Sequence, residues 1–283
     1  MTEIQDRQHP LFASRFRNLG FSWLANQANR FLSAGGMCYF INDGTIKTRL
    51  ILHNYFAFLS GRPFHIRWVL RIYSTDGKRM IEKQGTMMDP DTQTIEMEPL
   101  VSDLGPFGLC MVHLYPAEGG LIVRNSYMTH YFIEYYTDHA ESLMHSCGHP
   151  VPKIHQVTDY ITSSIEEESQ ALLLVSNSCQ RVFRYPKSLF EKGVRVRIKN
   201  SQNQWRHFDL EPILPLGSIK VDLRHLWPDL NTFLDRKPAL IQVCGPNVLY
   251  SPLLIQTNAQ GYIAMDHIQG GDWDDVDVTS AAC

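Results

Sequence analysis

The densest group of chemically capable side chains is Asp138-His139-Ala140-Glu141-Ser142-Leu143-Met144-His145-Ser146-Cys147-Gly148-His149, with His155 just beyond. Imidazole and thiolate are borderline-soft donors that suit zinc or iron. His139, His145, Cys147 and His149 are therefore candidate metal ligands, and Glu141 or Asp138 would be the base of a metal-dependent enzyme. Strand geometry restrains this reading. At roughly 3.3 Å per residue His145 and His149 stand about 13 Å apart, too far to share one ion unless Gly148 bends the chain. The spacing matches no zinc-finger or metalloprotease pattern. Cys147 as a nucleophile would need a neighbouring histidine to lower its pKa, and a base adjacent in sequence does not ordinarily reach it.

A second set emerges from parity over 121–136, since successive strand residues point to opposite faces. Leu121, Val123, Tyr127, Tyr131, Ile133 and Tyr135 share one face; Arg124, Ser126, His130 and Glu134 share the other. One face is core. Tyrosines near an exposed sheet can stack on sugar rings, and His130 with Glu134 can line a polar groove. His130, Tyr131, Glu134 and Arg124 are thus the candidate ligand-binding residues, with a saccharide as ligand.

The remaining motifs mostly exclude. Arg195, Arg197 and Lys199 share a strand face, with Arg181, Arg184 and Lys187 nearby, and such a surface could follow phosphates. No aromatic ribonucleoprotein motif, zinc knuckle or recognition helix accompanies them, so nucleic acid is not the expected partner. The chain also lacks a Walker loop, GxGxxG and GxSxG, which argues against the common nucleotide-binding and hydrolase classes. Asp266-His267 and the acidic stretch to Asp277 offer oxygen ligands for calcium or magnesium, without an EF-hand spacing.

These residues sit in a chain of 283, with 44% hydrophobic and 19% charged residues, long enough for one large or two ordinary domains. The formal charge of −3 is uneven. Residues 171–265 carry 12 Lys and Arg against 6 Asp and Glu, while 266–283 carry 5 acids and no base. The polar start, with Glu3, Asp6 and Arg7, lacks the basic and apolar regions of a secretory signal. No run of residues is long and apolar enough to span a bilayer. Six scattered cysteines without CxxC pairs read as free thiols, which points to the cytoplasm.

Residues 11–34 place Phe12, Phe16, Leu19 and Trp23 at helical intervals and predict a helical entry over 1–36. From Cys38 onward short apolar runs alternate with turn residues, the pattern of an all-β chain. Ser74-Thr75-Asp76-Gly77 predicts one hairpin, and Asn200-Ser201-Gln202-Asn203 a second between 194–198 and 205–210. The order of signals repeats, suggesting an internal duplication. Leu50 to Phe56, with Asn54, parallels Leu172 to Cys179, with Asn177. Segment 95–104 parallels 214–223, Gly108 to Tyr115 parallels Ala239 to Cys244, and Leu121 to Asn125 parallels Leu253 to Thr257.

The expected fold is mainly β: two tandem antiparallel β-sandwiches, Ig-like or jelly-roll-like, at 37–149 and 171–268. A linker at 150–170 would divide them, and an acidic, disordered tail would follow at 269–283. The expected function is non-catalytic binding or assembly, recognising a saccharide or a protein partner through the sandwich loops, without a cofactor. The alternative is the zinc or iron enzyme at 139–149. An edge strand in each sandwich also makes a homodimer reasonable.

Overall fold

The structure, a computed structural model, describes residues 34–54, 57, 63, 65–88, 91–116, 131–145, 147–148, 157–177, 193–245 and 252–267. The helical segment expected at 1–36 and the acidic tail at 269–283 fall, all but residues 34–36, outside the described residues. The described chain is mainly β, folded into four antiparallel sheets.

The first half contributes β1 (Ala34–Ile41), β2 (Lys47–His53), β3 (Ile66–Tyr73), β4 (Met80–Met87), β5 (Thr92–Glu96), β6 (Phe107–Pro116), β7 (Tyr131–Tyr136), β8 (Glu141–His145) and β9 (Cys147–Gly148). A short helix, α1 (Glu98–Val101), lies between β5 and β6. These strands form sheet I, in the order β5-β2-β7-β8, and sheet II, in the order β4-β3-β6-β1-β9. The second half contributes β10 (Val157–Ser163), β11 (Gln170–Ser176), β12 (Val194–Lys199), β13 (Trp205–Leu210), β14 (Ser218–Asp222), β15 (Ala239–Gly245), β16 (Leu253–Thr257) and β17 (Ile263–His267). Helices α2 (Leu223–Leu226) and α3 (Leu230–Leu234) lie between β14 and β15. Sheet III has the order β14-β11-β16-β17, and sheet IV the order β13-β12-β15-β10.

The two strand orders correspond one to one. Replacing β1 through β8 by β10 through β17 turns sheet I into sheet III, and sheet II without β9 into sheet IV. Direct hairpins join the corresponding pairs β3–β4 and β12–β13, and again β7–β8 and β16–β17. Asn54 and Asn177, both 1% exposed, occupy the corresponding corner just after β2 and β11. The backbone N–H of Asn54 donates to Asp91 O and that of Asn177 to Gly217 O, in each case the residue before the next strand of the sheet. Their side-chain amides donate to Met87 O (3.5 Å) and Ile213 O (2.8 Å).

Registers correct the alignment read from sequence. Arg49 pairs with Glu96 where Leu172 pairs with Asp222, so Glu96, seven residues before Asp103, corresponds to Asp222. The strand in the place of β16 is β7, at 131–136, rather than 121–125. Residues 157–163, expected within a linker, form β10, paired along its length with β15.

Both predicted hairpins form. In the first, Ser74 and Arg79 close the reversal: Ser74 N–H donates to Arg79 O (3.0 Å), and Ser74 Oγ accepts from Arg79 N–H (3.1 Å) while donating to Asp76 Oδ1 (2.6 Å). Gly77 adopts φ +68°, and a Cβ there would lie 2.3 Å from Pro215 O in the second half.

Burial explains the strand compositions. In sheets I and II, Leu50, Leu52, Tyr131, Ile133 and Tyr135 join Cys38, Phe40, Leu70, Ile72, Cys110 and Val112 in one apolar cluster. In the second half, Leu173, Val175, Val194, Val196, Ile198, Ile241 and Val243 join a second cluster. β11 serves both: Leu172 and Leu174, with Leu253 and Ile255 of β16, belong to the first cluster, while Ala171, Leu173 and Val175 belong to the second. A strand covered on both sides needs an unbroken apolar run, and Ala171-Leu172-Leu173-Leu174-Val175 supplies it. The seam continues where Leu216 packs on Met37, Tyr73, Leu109 and Met111 of sheet II, and where Lys220 pairs with Asp43 at 3.0 Å.

Among the described residues no helix is long and apolar enough to cross a membrane. Cys38 and Cys110 are free, buried and directly opposite each other, but Cys244 is disulfide-bonded, against the expectation of six free thiols.

Candidate functional site: the outward face of sheet I

Alternation in β2 and β7 creates this face. Thr48, Leu50 and Leu52 point inward, leaving Lys47, Arg49, Ile51 and His53 outward; Tyr131, Ile133 and Tyr135 point inward, leaving Phe132, Glu134 and Tyr136 outward. Thr48 fixes the start of β2, its hydroxyl accepting from Ile41 N–H (2.8 Å) and donating to Ile41 O (3.0 Å). Tyr135 OH reaches across the core to Tyr39 O (2.8 Å), which locks β7 against β1.

Pairing then sets the outward residues in rungs. Glu96, Arg49, Glu134 and Leu143 form one, and Thr94, Ile51, Phe132 and His145 the next. Lys47, Tyr136 and Glu141 flank the first rung on one side. Next to the second, His53 Nδ1 lies 2.9 Å from Thr92 Oγ1, and its ring meets Phe132 edge-on at 5.3 Å.

Glu134 is the centre of the first rung. Its residue is 7% exposed although its strand face looks outward. Arg49 grips it bidentately, Nε donating to Oε2 and Nη2 to Oε1 (3.3 Å). The same guanidinium lies 3.7 Å from Glu96, 3.8 Å from Glu141 and 4.6 Å from the Tyr136 ring centroid. Tyr136 OH donates to Glu96 Oε2 at 3.0 Å. Burial raises the Glu134 pKa, and a hydrogen bond shared with Glu141 raises it further, against the opposing pull of Arg49. Burial also works against the charge of Arg49, but its carboxylate partners outweigh that and raise its pKa. Burial and the bond to Glu96 raise that of Tyr136. The arrangement presents fixed donors and acceptors beside half-buried aromatic edges, the composition that a polyhydroxylated ligand meets in a polar site.

The sequence-derived residues divide on this geometry. Glu134 lies on the face, and Glu141 joins it and Glu96 as a further carboxyl. Tyr131 is 1% exposed on the opposite, core-facing side of β7, so it cannot meet a ligand there. His130 and Arg124 lie outside the described residues. His145 is exposed at the edge of the face, whereas Asp138 and His139 lie in the β7–β8 turn. The His139 ring packs against Gly261 of the β16–β17 turn, where Thr137 Oγ1 also donates to Gly261 O (2.7 Å). His149 and the side chain of Cys147 lie outside the described residues, and among the described residues no three metal-capable side chains converge.

Arg49, Tyr136, Glu96, Phe132 and His53 were missed in the sequence. The same parity applied to 47–53 marks Arg49 and His53 as outward, but their pairing to residues 85 and 39 positions away requires the topology. Comparison with protein-family models, curated proteins and solved structures finds no match to any of them.

Proposed function

We propose that the chain is a non-catalytic binding protein built of two tandem β-sandwiches that arose by duplication, with the outward face of sheet I as its recognition surface and a saccharide as its ligand. The matching strand orders and the matching corners at Asn54 and Asn177 support the duplication. One observation carries the binding reading: the Arg49–Glu134 pair occupies the positions that correspond to Leu172 and Ile255 in sheet III. The second half uses aliphatic residues there because further structure covers them. The first half places a buried carboxylate paired with a part-exposed guanidinium on its outward face, although such pairs add little to stability compared with apolar packing. A group held this firmly on a rigid strand is suited to orienting a ligand.

The reading is tested by titrating the full chain against a panel of neutral and acidic oligosaccharides by calorimetry. A binding oligosaccharide whose affinity falls about tenfold or more in Glu134→Gln and Phe132→Ala, with melting behaviour retained, supports it. No binding across the panel, or binding indifferent to both substitutions, rejects it. The disulfide at Cys244 weighs against the reducing cytoplasm suggested by the scattered cysteines, since such bonds are rare there.

A further inference from the structure

The outward face of sheet IV carries a different chemistry. β12 and the edge strand β13 set Arg195 opposite Asp209, Arg197 opposite His207 and Lys199 opposite Trp205. Asp209 takes up Arg195 bidentately, at 2.5 and 3.0 Å. Among the described residues Arg197 and Lys199 meet no carboxylate. The Arg197 guanidinium lies 4.2 Å from the Trp205 ring centroid, and Lys199 Nζ lies 5.4 Å from the same ring. Among the described residues neither cation forms an ion pair, and Nη1 of Arg197 is buried with no hydrogen-bond partner. On the other side of β12, Arg197 faces the neutral amide of Gln242.

The corresponding rung of the first half shows what is missing. There Arg71 stands opposite Glu82 and pairs with it at 2.8 Å. The second half keeps the arginine, replaces the carboxylate by His207 and backs the guanidinium with an indole ring.

We propose that this face binds the dianion of a phosphomonoester, seated between Arg197 and Lys199 with His207 as a further donor. The indole holds the guanidinium plane, so its fork is oriented before a ligand arrives. Residues at i and i+2 stand about 6.6 Å apart on a strand face, so a flexible lysine and a fixed arginine can meet different oxygens of one phosphoryl group. Two uncompensated permanent charges match a group carrying about −1.5 to −2 at neutral pH better than a singly charged carboxylate. An anion there also offsets the cost of leaving a charged donor buried without a partner.

The test is calorimetric titration of the full chain with inorganic phosphate and glycerol 3-phosphate, with glycerol and acetate as controls. Both phosphates are expected to bind saturably at one site, acetate about tenfold more weakly or worse, and glycerol not at all. Arg197→Met and Lys199→Met are each expected to weaken phosphate binding about tenfold, the equivalent of one charge-assisted hydrogen bond. Arg195→Met, which removes a cation already paired, should leave affinity within about twofold. Should Arg197→Met fail to fold, Lys199→Met carries the same test from the strand end. Absence of saturable phosphate binding, acetate binding as tightly as phosphate, or affinity unchanged in either methionine variant overturns the proposal. Glu134→Gln on sheet I should leave phosphate binding unaltered, so this site and the saccharide face fail or stand separately.

Discussion

Glu134 is a carboxyl whose pKa is raised in the folded chain, so the fold favours its protonated form. Its effect on stability therefore falls as pH rises from the ordinary carboxylate value of 4.5 toward the higher folded value, and levels off above that. Arg49→Met removes the guanidinium that opposes this. The variant should lose about 1–3 kcal/mol at pH 7, and less near pH 4.5 where the carboxyl carries less of its charge, as read from urea unfolding at both values. An equal loss at the two pH values would show that packing of the arginine stem, rather than its charge, is responsible. At the two corners, Asn54→Ala and Asn177→Ala should each cost about 1–3 kcal/mol, since each leaves a buried carbonyl without its donor. At this scale the sequence was partly legible. Parity separated Glu134 from the core-facing Ile133 and Tyr135, and it placed Tyr131 with them. Arg49 stayed hidden, because nothing local in residues 47–53 says which strand will lie beside it.

Among the elements, the turn at 74–79 was legible through Asp76-Gly77, since short polar side chains and a positive φ leave few alternatives. Gly77→Ala should destabilise by more than Gly44→Ala. Both have positive φ, at a cost of about 1–2 kcal/mol for a Cβ, but only Gly77 has a carbonyl of the second half in the way. Equal melting temperatures for the two variants would contradict that contact. β10 was not legible: its residues lie between a proline-rich stretch and Glu166-Glu167-Glu168, and its pairing partner β15 begins more than 70 positions downstream. The alignment of the halves slipped by seven residues at β5 for a related reason. Each half follows this strand with a helical turn, and an Asp-Leu that ends α1's neighbourhood in one half caps α2 in the other, where Asp222 accepts from Arg224 N–H at 2.9 Å.

At the scale of the molecule, β11 and β16 join two apolar clusters that would otherwise be independent. Leu174→Ala, fully buried at the seam, should cost about 2–5 kcal/mol, and near-UV and far-UV signals should still fall together in denaturant. Two separated transitions would show that the seam contributes little. Across the same seam, burial alone would raise the Asp43 pKa, but N–H groups of Ile46 and Thr45 and the Lys220 ammonium outweigh it and lower the value. The stability it supplies is present above the unfolded value of 3.8 and is lost as pH falls through the lower folded one. Lys220→Met should therefore move the acid unfolding midpoint upward. The double duty of β11 also bears on how the polypeptide tolerates being severed. A protease nick between positions 148 and 157 would yield two fragments, each with a raw oily flank fitted to the other, so they should co-migrate on a native gel and part company only in denaturant with a reductant to open the bond at Cys244.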